Sequence, residues 1–75
     1  MVVKILGSGC ANCKKLEANA KVAVAELGIE VTIEKVEDFK EIMAFGVMST
    51  PALVVDGQVK VMGKVASVEE IKKFL

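Results

Sequence analysis

The chain has no histidine, arginine, tryptophan or tyrosine, and only one proline and three phenylalanines in 75 residues. Without histidine, imidazole acid–base catalysis and imidazole metal ligands are excluded outright. With ten lysines set against ten acidic residues, there is no basic stripe of the kind nucleic-acid binding needs. No apolar run approaches the roughly 18 residues of a membrane span. The apolar start at residues 1–6 is too short for a secretory signal. These absences point to a cytoplasmic protein with neither nucleic acid nor membrane among its partners, and a monomer is the working expectation. What the chain does hold is apolar: 53% of its residues are hydrophobic, most of them small. A folded surface of roughly 4,400 Å² is expected, against about 11,600 Å² unfolded. Burial then contributes about 105 kcal/mol and ordering costs about 110 kcal/mol. With so little margin, each helix cap and core methyl counts. The length allows one domain, residues 1–75, with a tightly layered α/β core.

Val2–Leu6 is β-branched and nearly all apolar, as a buried central strand is. Gly7, Ser8 and Gly9 interrupt it. From Cys10 the period becomes helical, with Cys13, Leu16, Ala20, Ala23 and Leu27 on one stripe and Gly28 placed as the C-terminal cap. Residues 29–36 alternate, with Ile29, Val31, Ile33 and Val36 apolar, which predicts a half-exposed edge strand. Asp38 is placed to cap a short helix carrying Phe39, Ile42, Met43 and Phe45 and ending at Gly46. A loop then leads to Pro51. Two strands, 53–55 and 59–62, flank Asp56-Gly57, a pair suited to the positive φ angles of a type I′ hairpin turn. In the last helix Ser67 and Glu70 have capping-box spacing, and Val68, Ile71 and Leu75 make the buried stripe. Met43, Met48 and Met62 fall in a helix, a loop and a strand and read as core or groove lining, with Met48 the one placed to touch a partner.

The two cysteines, Cys10 and Cys13, are three positions apart where a strand passes through a glycine loop into a helix. On helical spacing Cys13 turns toward the core, and Cys10, at or just before the first turn, stays exposed. That arrangement suits thiol–disulfide exchange, in which an exposed thiolate attacks and a sheltered one resolves the mixed disulfide. A helix start also favours an anion and lowers a thiol pKa. A fall from about 8.5 to about 7 raises the thiolate fraction at pH 7 roughly 16-fold. The accompanying loss of nucleophilicity leaves a net gain of about three-fold. A purely structural disulfide closing so short a loop yields only about 2 kcal/mol before strain. A metal role stays open: a zinc site lacks its other two ligands, but two sulfurs suit Cu(I).

The segment Phe45-Gly46-Val47-Met48-Ser49-Thr50-Pro51-Ala52-Leu53-Val54-Val55-Asp56-Gly57 resembles the stretch of thioredoxins that carries their cis-proline and the following hairpin. Together with Cys10 and Cys13, it makes the whole chain similar to a minimal thioredoxin-like domain. Within that family the likeness is greatest to the small archaeal and bacterial proteins termed small redox-active disulfide protein 2. The resemblance implies a βαβαββα order and a four-stranded mixed sheet in order 2-1-3-4 with helices on both faces. It implies Cys10 as nucleophile, Cys13 as resolving cysteine and a cis Pro51 beside them. Thr50 would offer backbone to an extended substrate strand, and Gly63 would line the groove. Disulfide-containing proteins would be the substrates, a thioredoxin-reductase-like enzyme would recycle the pair, and no cofactor is implied. The likeness is incomplete. Gly9 stands where thioredoxins carry Trp, Ala11-Asn12 where they carry Gly-Pro, and Lys4 where they carry a buried Asp. The rival resemblance is to a heavy-metal-associated domain, a soft-metal carrier. Its usual Met two residues before the first cysteine is Ser8 here, its second strand is followed by another strand, and it ends in a strand.

Overall fold

The computed structural model describes residues 1–7 and 11–75. The elements in order are β1 (Val2–Leu6), α1 (Ala11–Leu27), β2 (Thr32–Val36), α2 (Phe39–Ala44), β3 (Ala52–Val55), β4 (Gln58–Met62) and α3 (Val68–Phe74). The four strands form one sheet in the order β2-β1-β3-β4. β1 runs parallel to β2 and antiparallel to β3, and β3 is antiparallel to β4. This is the topology the resemblance implies. It departs from the heavy-metal-associated arrangement both after β2, where α2 follows, and at the end, where α3 closes the chain.

The two central strands owe their position to their composition. All of β3 is buried, and so are Val3, Ile5 and Leu6 of β1, because helices cover both faces of the sheet. On one face Leu16, Ala20 and Ala23 of α1 and Ile71 of α3 pack on Val3, Ile5, Leu53 and Val55. On the other, Ile42 of α2 and Val47 pack on Leu6, Val36, Ala52 and Val54. The small alanines let α1 lie close to the strands. The accessible surface is 4429 Å², matching the size-based expectation.

Several boundaries differ from the sequence reading. The edge strand begins at Thr32, not Ile29, because the parallel register pairs Thr32 with Val2 and leaves residues 29–31 with no neighbouring strand. Leu27 is exposed although it continues the buried stripe. Seventeen helical residues span about 25 Å and overhang a strand of about 17 Å. Only half of the capping box forms: Ser67 Oγ accepts from the Glu70 N–H at 3.2 Å, but the Glu70 carboxylate accepts from Lys64 Nζ instead. Phe74, which the sequence stripe omitted, packs on the core one turn beyond Ile71. Met43, Met48 and Met62 are all exposed, so none is core. The Asp38 cap is present, its carboxylate accepting from the Lys40 N–H at 2.8 Å. The hairpin has positive φ at both Asp56 and Gly57, as its turn type needs.

Candidate functional site

The site lies at one end of the sheet, where the chain leaves β1, enters α1 and later returns through the loop into β3. Cys13 sits in the first turns of α1 with 5% of its surface exposed, facing inward as its helical spacing predicts. Cys10 and Gly9 lie outside the described residues. Gly7, just past β1, is fixed by its N–H donating to the Val36 carbonyl at 2.9 Å. A Cβ on Gly7 would lie 2.2 Å from Cys13 Sγ and 3.8 Å from the Thr50 Cβ. Glycine is therefore what lets the Cys13 sulfur, the end of β1 and the proline loop come together. The sequence reading took Gly7 only as a strand terminator. Its spacing carries no sign of the approach, which depends on where α1 settles.

The proline loop is the second component. The Thr50–Pro51 peptide bond is cis, and the Pro51 carbonyl accepts from the Gly63 N–H at 2.9 Å. Gly63 has φ +76, and a Cβ there would meet the Ser49 Cβ at 3.0 Å. Gly63 thus holds the loop from behind through its own N–H. Thr50, distant along the chain from Cys13, is brought beside it at Gly7, and Gly63 is tied to the same loop through Pro51. Met48 stands at the outer side of the same loop, 88% exposed.

Charged side chains stand around the same place. A depression beside Cys13 is lined by Ile5, Gly7, Lys14, Lys35 and Glu37. Lys35 also pairs with Glu17 of α1 at 3.3 Å. The charged lining of the depression thus carries both signs, Lys14 and Lys35 against Glu37. Lys4, at the position where thioredoxins carry the buried Asp, does not line this depression. Its ammonium lies 5.2 Å over the Phe45 ring, among the residues of the α2 face. No helix among the described residues is long and apolar enough to cross a membrane.

Comparison with known proteins agrees with this geometry. The family model described as "Thioredoxin domain" matches residues 1–75. A protein named Thioredoxin from Methanothermobacter thermautotrophicus is 52% identical over 75 residues, which cover all of this chain and 97% of that relative. Another of the same name, from Methanocaldococcus jannaschii, is 44% identical over 75 residues, all of this chain and 86% of its own.

Proposed function

The chain belongs to the thioredoxin family, whose trade is thiol–disulfide redox chemistry, and from that premise we propose that it exchanges disulfides with protein substrates through Cys10 and Cys13. The observation that carries this reading is Cys13, buried at the start of α1 against Gly7 and beside the Thr50–Pro51 loop. The Cys10 thiolate attacks one sulfur of the substrate disulfide, and the other substrate sulfur leaves as a thiolate and takes up a proton. Cys13, having lost its proton, attacks the Cys10 sulfur of the mixed disulfide. The second substrate thiol is released and a Cys10–Cys13 disulfide remains. Two electrons have passed to the substrate, and a thioredoxin-reductase-like enzyme returns them to the pair. Thr50 offers main chain to an extended substrate segment in the manner of an added strand, with Gly63 supporting the loop and Met48 at its rim. The domain, residues 1–75, acts in the cytoplasm as a monomer and needs no cofactor.

Two cysteine variants test the assignment. Cys13→Ser is expected to accumulate mixed disulfides with substrate proteins, whereas Cys10→Ser accumulates few, read by non-reducing gels and mass mapping. In the reduced wild-type protein, Cys10 is expected to be alkylated before Cys13. Faster labelling of Cys13 would remove the role assignment. Redox titration against glutathione and dithiothreitol, with and without Cu(I), separates this reading from soft-metal carriage: a pair that holds Cu(I) and does not titrate overturns it.

A further inference from the structure

Resolution of a mixed disulfide requires Cys13 to give up a proton, yet its side chain is enclosed, with 5% of the residue exposed. The proton must leave by a defined route. The depression against the sulfur measures about 10 Å³, room for about one water molecule. Its lining limits what can happen there. Ile5 and Gly7 do not titrate, and Lys14 and Lys35 carry ammonium groups, which donate hydrogen bonds and accept none. Glu37 brings a carboxylate. Among the described residues lining the depression, it is the one side chain besides the thiol that can take up a proton.

Backbone contacts hold Glu37 in place from both sides. The carbonyl of Val36, just before it, accepts from the Gly7 N–H at 2.9 Å, and Gly7 is the residue whose Cβ would run into Cys13 Sγ. Asp38, just after it, caps α2 by accepting from the Lys40 N–H at 2.8 Å. The ion pairs leave its carboxylate available. Glu17 engages Lys35 at 3.3 Å and Lys21 at 3.6 Å, whereas Glu37 joins no salt bridge among the described residues. The titratable groups that face it across the depression are Cys13 and Lys14 of α1 and Lys35 of β2. On its other flank Phe39 and Ile42 of α2, with Val47, Met48 and Thr50 of the proline loop, bring none.

We propose that Glu37 is the proton acceptor for Cys13, acting through one water in this depression and resting on the thiol–disulfide reading above. As Cys13 Sγ closes on the Cys10 sulfur, its S–H bond breaks and the proton passes to the water. The water gives one of its own protons to the Glu37 carboxylate. The Cys13 electron pair forms the Cys10–Cys13 bond, and the substrate sulfur leaves with its electrons as a thiolate. Glu37 then releases the proton to solvent, from which the substrate thiolate takes one up. As a fixed charge alone Glu37 would act in the opposite sense, because a carboxylate disfavours a neighbouring thiolate. The two roles are therefore separable by sign.

The test is a stopped-flow reaction of the reduced full-length protein with excess symmetrical disulfide of 2-nitro-5-thiobenzoate, the release of which is coloured. The first equivalent released reports attack by Cys10. The second reports resolution by Cys13, is independent of reagent concentration, and is identified by its loss in Cys13→Ser. Glu37→Gln is expected to slow the second phase at least about 10-fold at pH 7, a modest share of what a positioned base contributes. Its rate should also climb by about ten-fold per pH unit as hydroxide takes over, a steeper rise than in the wild type. Glu37→Asp, with the same carboxylate on a shorter arm, should fall between the two. Sodium formate should speed the second phase of Glu37→Ala and leave the wild type as it was. Urea midpoints check that the variants fold. A second phase in Glu37→Gln as fast as in the wild type would overturn the proposal, and a faster one would mark Glu37 as a fixed charge. Failure of formate to rescue Glu37→Ala would overturn it too. If the wild type releases only one equivalent, it is the thiol–disulfide reading that falls, which distinguishes the two failures.

Discussion

Gly7 and Gly63 both carry tight contacts at the loops around Cys13 and Pro51, and they do so for different reasons. At Gly7 the constraint is space, because a Cβ would sit 2.2 Å from Cys13 Sγ. Gly7→Ala must displace α1 or the Cys13 side chain, and overpacking of this kind costs about 1–3 kcal/mol. A lowered urea midpoint together with longer-lived mixed disulfides is expected, and an unchanged midpoint would mean that the helix yields freely. At Gly63 there are two constraints, φ +76 and a Ser49 Cβ 3.0 Å from the position an added Cβ would take. An L-residue in left-handed backbone costs about 1–2 kcal/mol by itself. Gly63→Ala should therefore destabilise, and adding Ser49→Gly should recover only the steric part. A full recovery would show that φ contributes nothing there. The inward-facing Cys13 is legible from helical spacing, and the cis Thr50–Pro51 bond from family likeness. The close approach at Gly7 is not, because it matters only through what another element brings beside it.

Short elements depend on their ends. α2 has six residues, one of them buried, so neither propensity nor packing secures it alone. Asp38→Ala removes its cap and is expected to cost about 0.5–2 kcal/mol, read in urea unfolding. A second tie joins α1 to the approach of α3: Asn19 Nδ2 donates to the Ala66 carbonyl at 2.9 Å. The caps and the hairpin turn were readable because their signals are local, set by side chains within a few positions. The start of β2 was not. Ile29 and Val31 alternate like strand residues, but whether they pair depends on how far β1 extends beside them. The exposed Leu27 has the same explanation, since the length of a helix relative to its sheet is a property of two elements.

At the scale of the molecule, balanced charge is organised into surface pairs around α3. Lys72 pairs with both Glu26 of α1 and Glu69. Its ammonium pKa is raised above the ordinary value, chiefly by the hydrogen bond to Glu26. Glu70 is lowered, chiefly by its hydrogen bond from Lys64. The signs give a window. The Lys72 contribution is present below the unfolded lysine value of about 10.4 and is lost as pH rises through the higher folded value. The Glu70 contribution is present above about 4.3 and is lost as pH falls through the lower folded value. Urea midpoints against pH should therefore converge for wild type and Lys72→Gln at the alkaline end, and for wild type and Lys64→Gln at the acid end. Parallel curves would remove the linkage. The overall topology was legible because the element order could be read from local patterns and the family likeness implied the strand order 2-1-3-4. That same topology has a consequence in time. β1 meets β2 at Thr32 to Val36 but needs β3, where Val3 pairs with Val55. At roughly 5–20 residues per second of synthesis, residue 55 follows residue 3 by about 3–10 s. Once residue 36 has been made, the nascent chain carries the apolar β1 with one edge open until β3 arrives, and a ribosome paused before β3 prolongs that exposure.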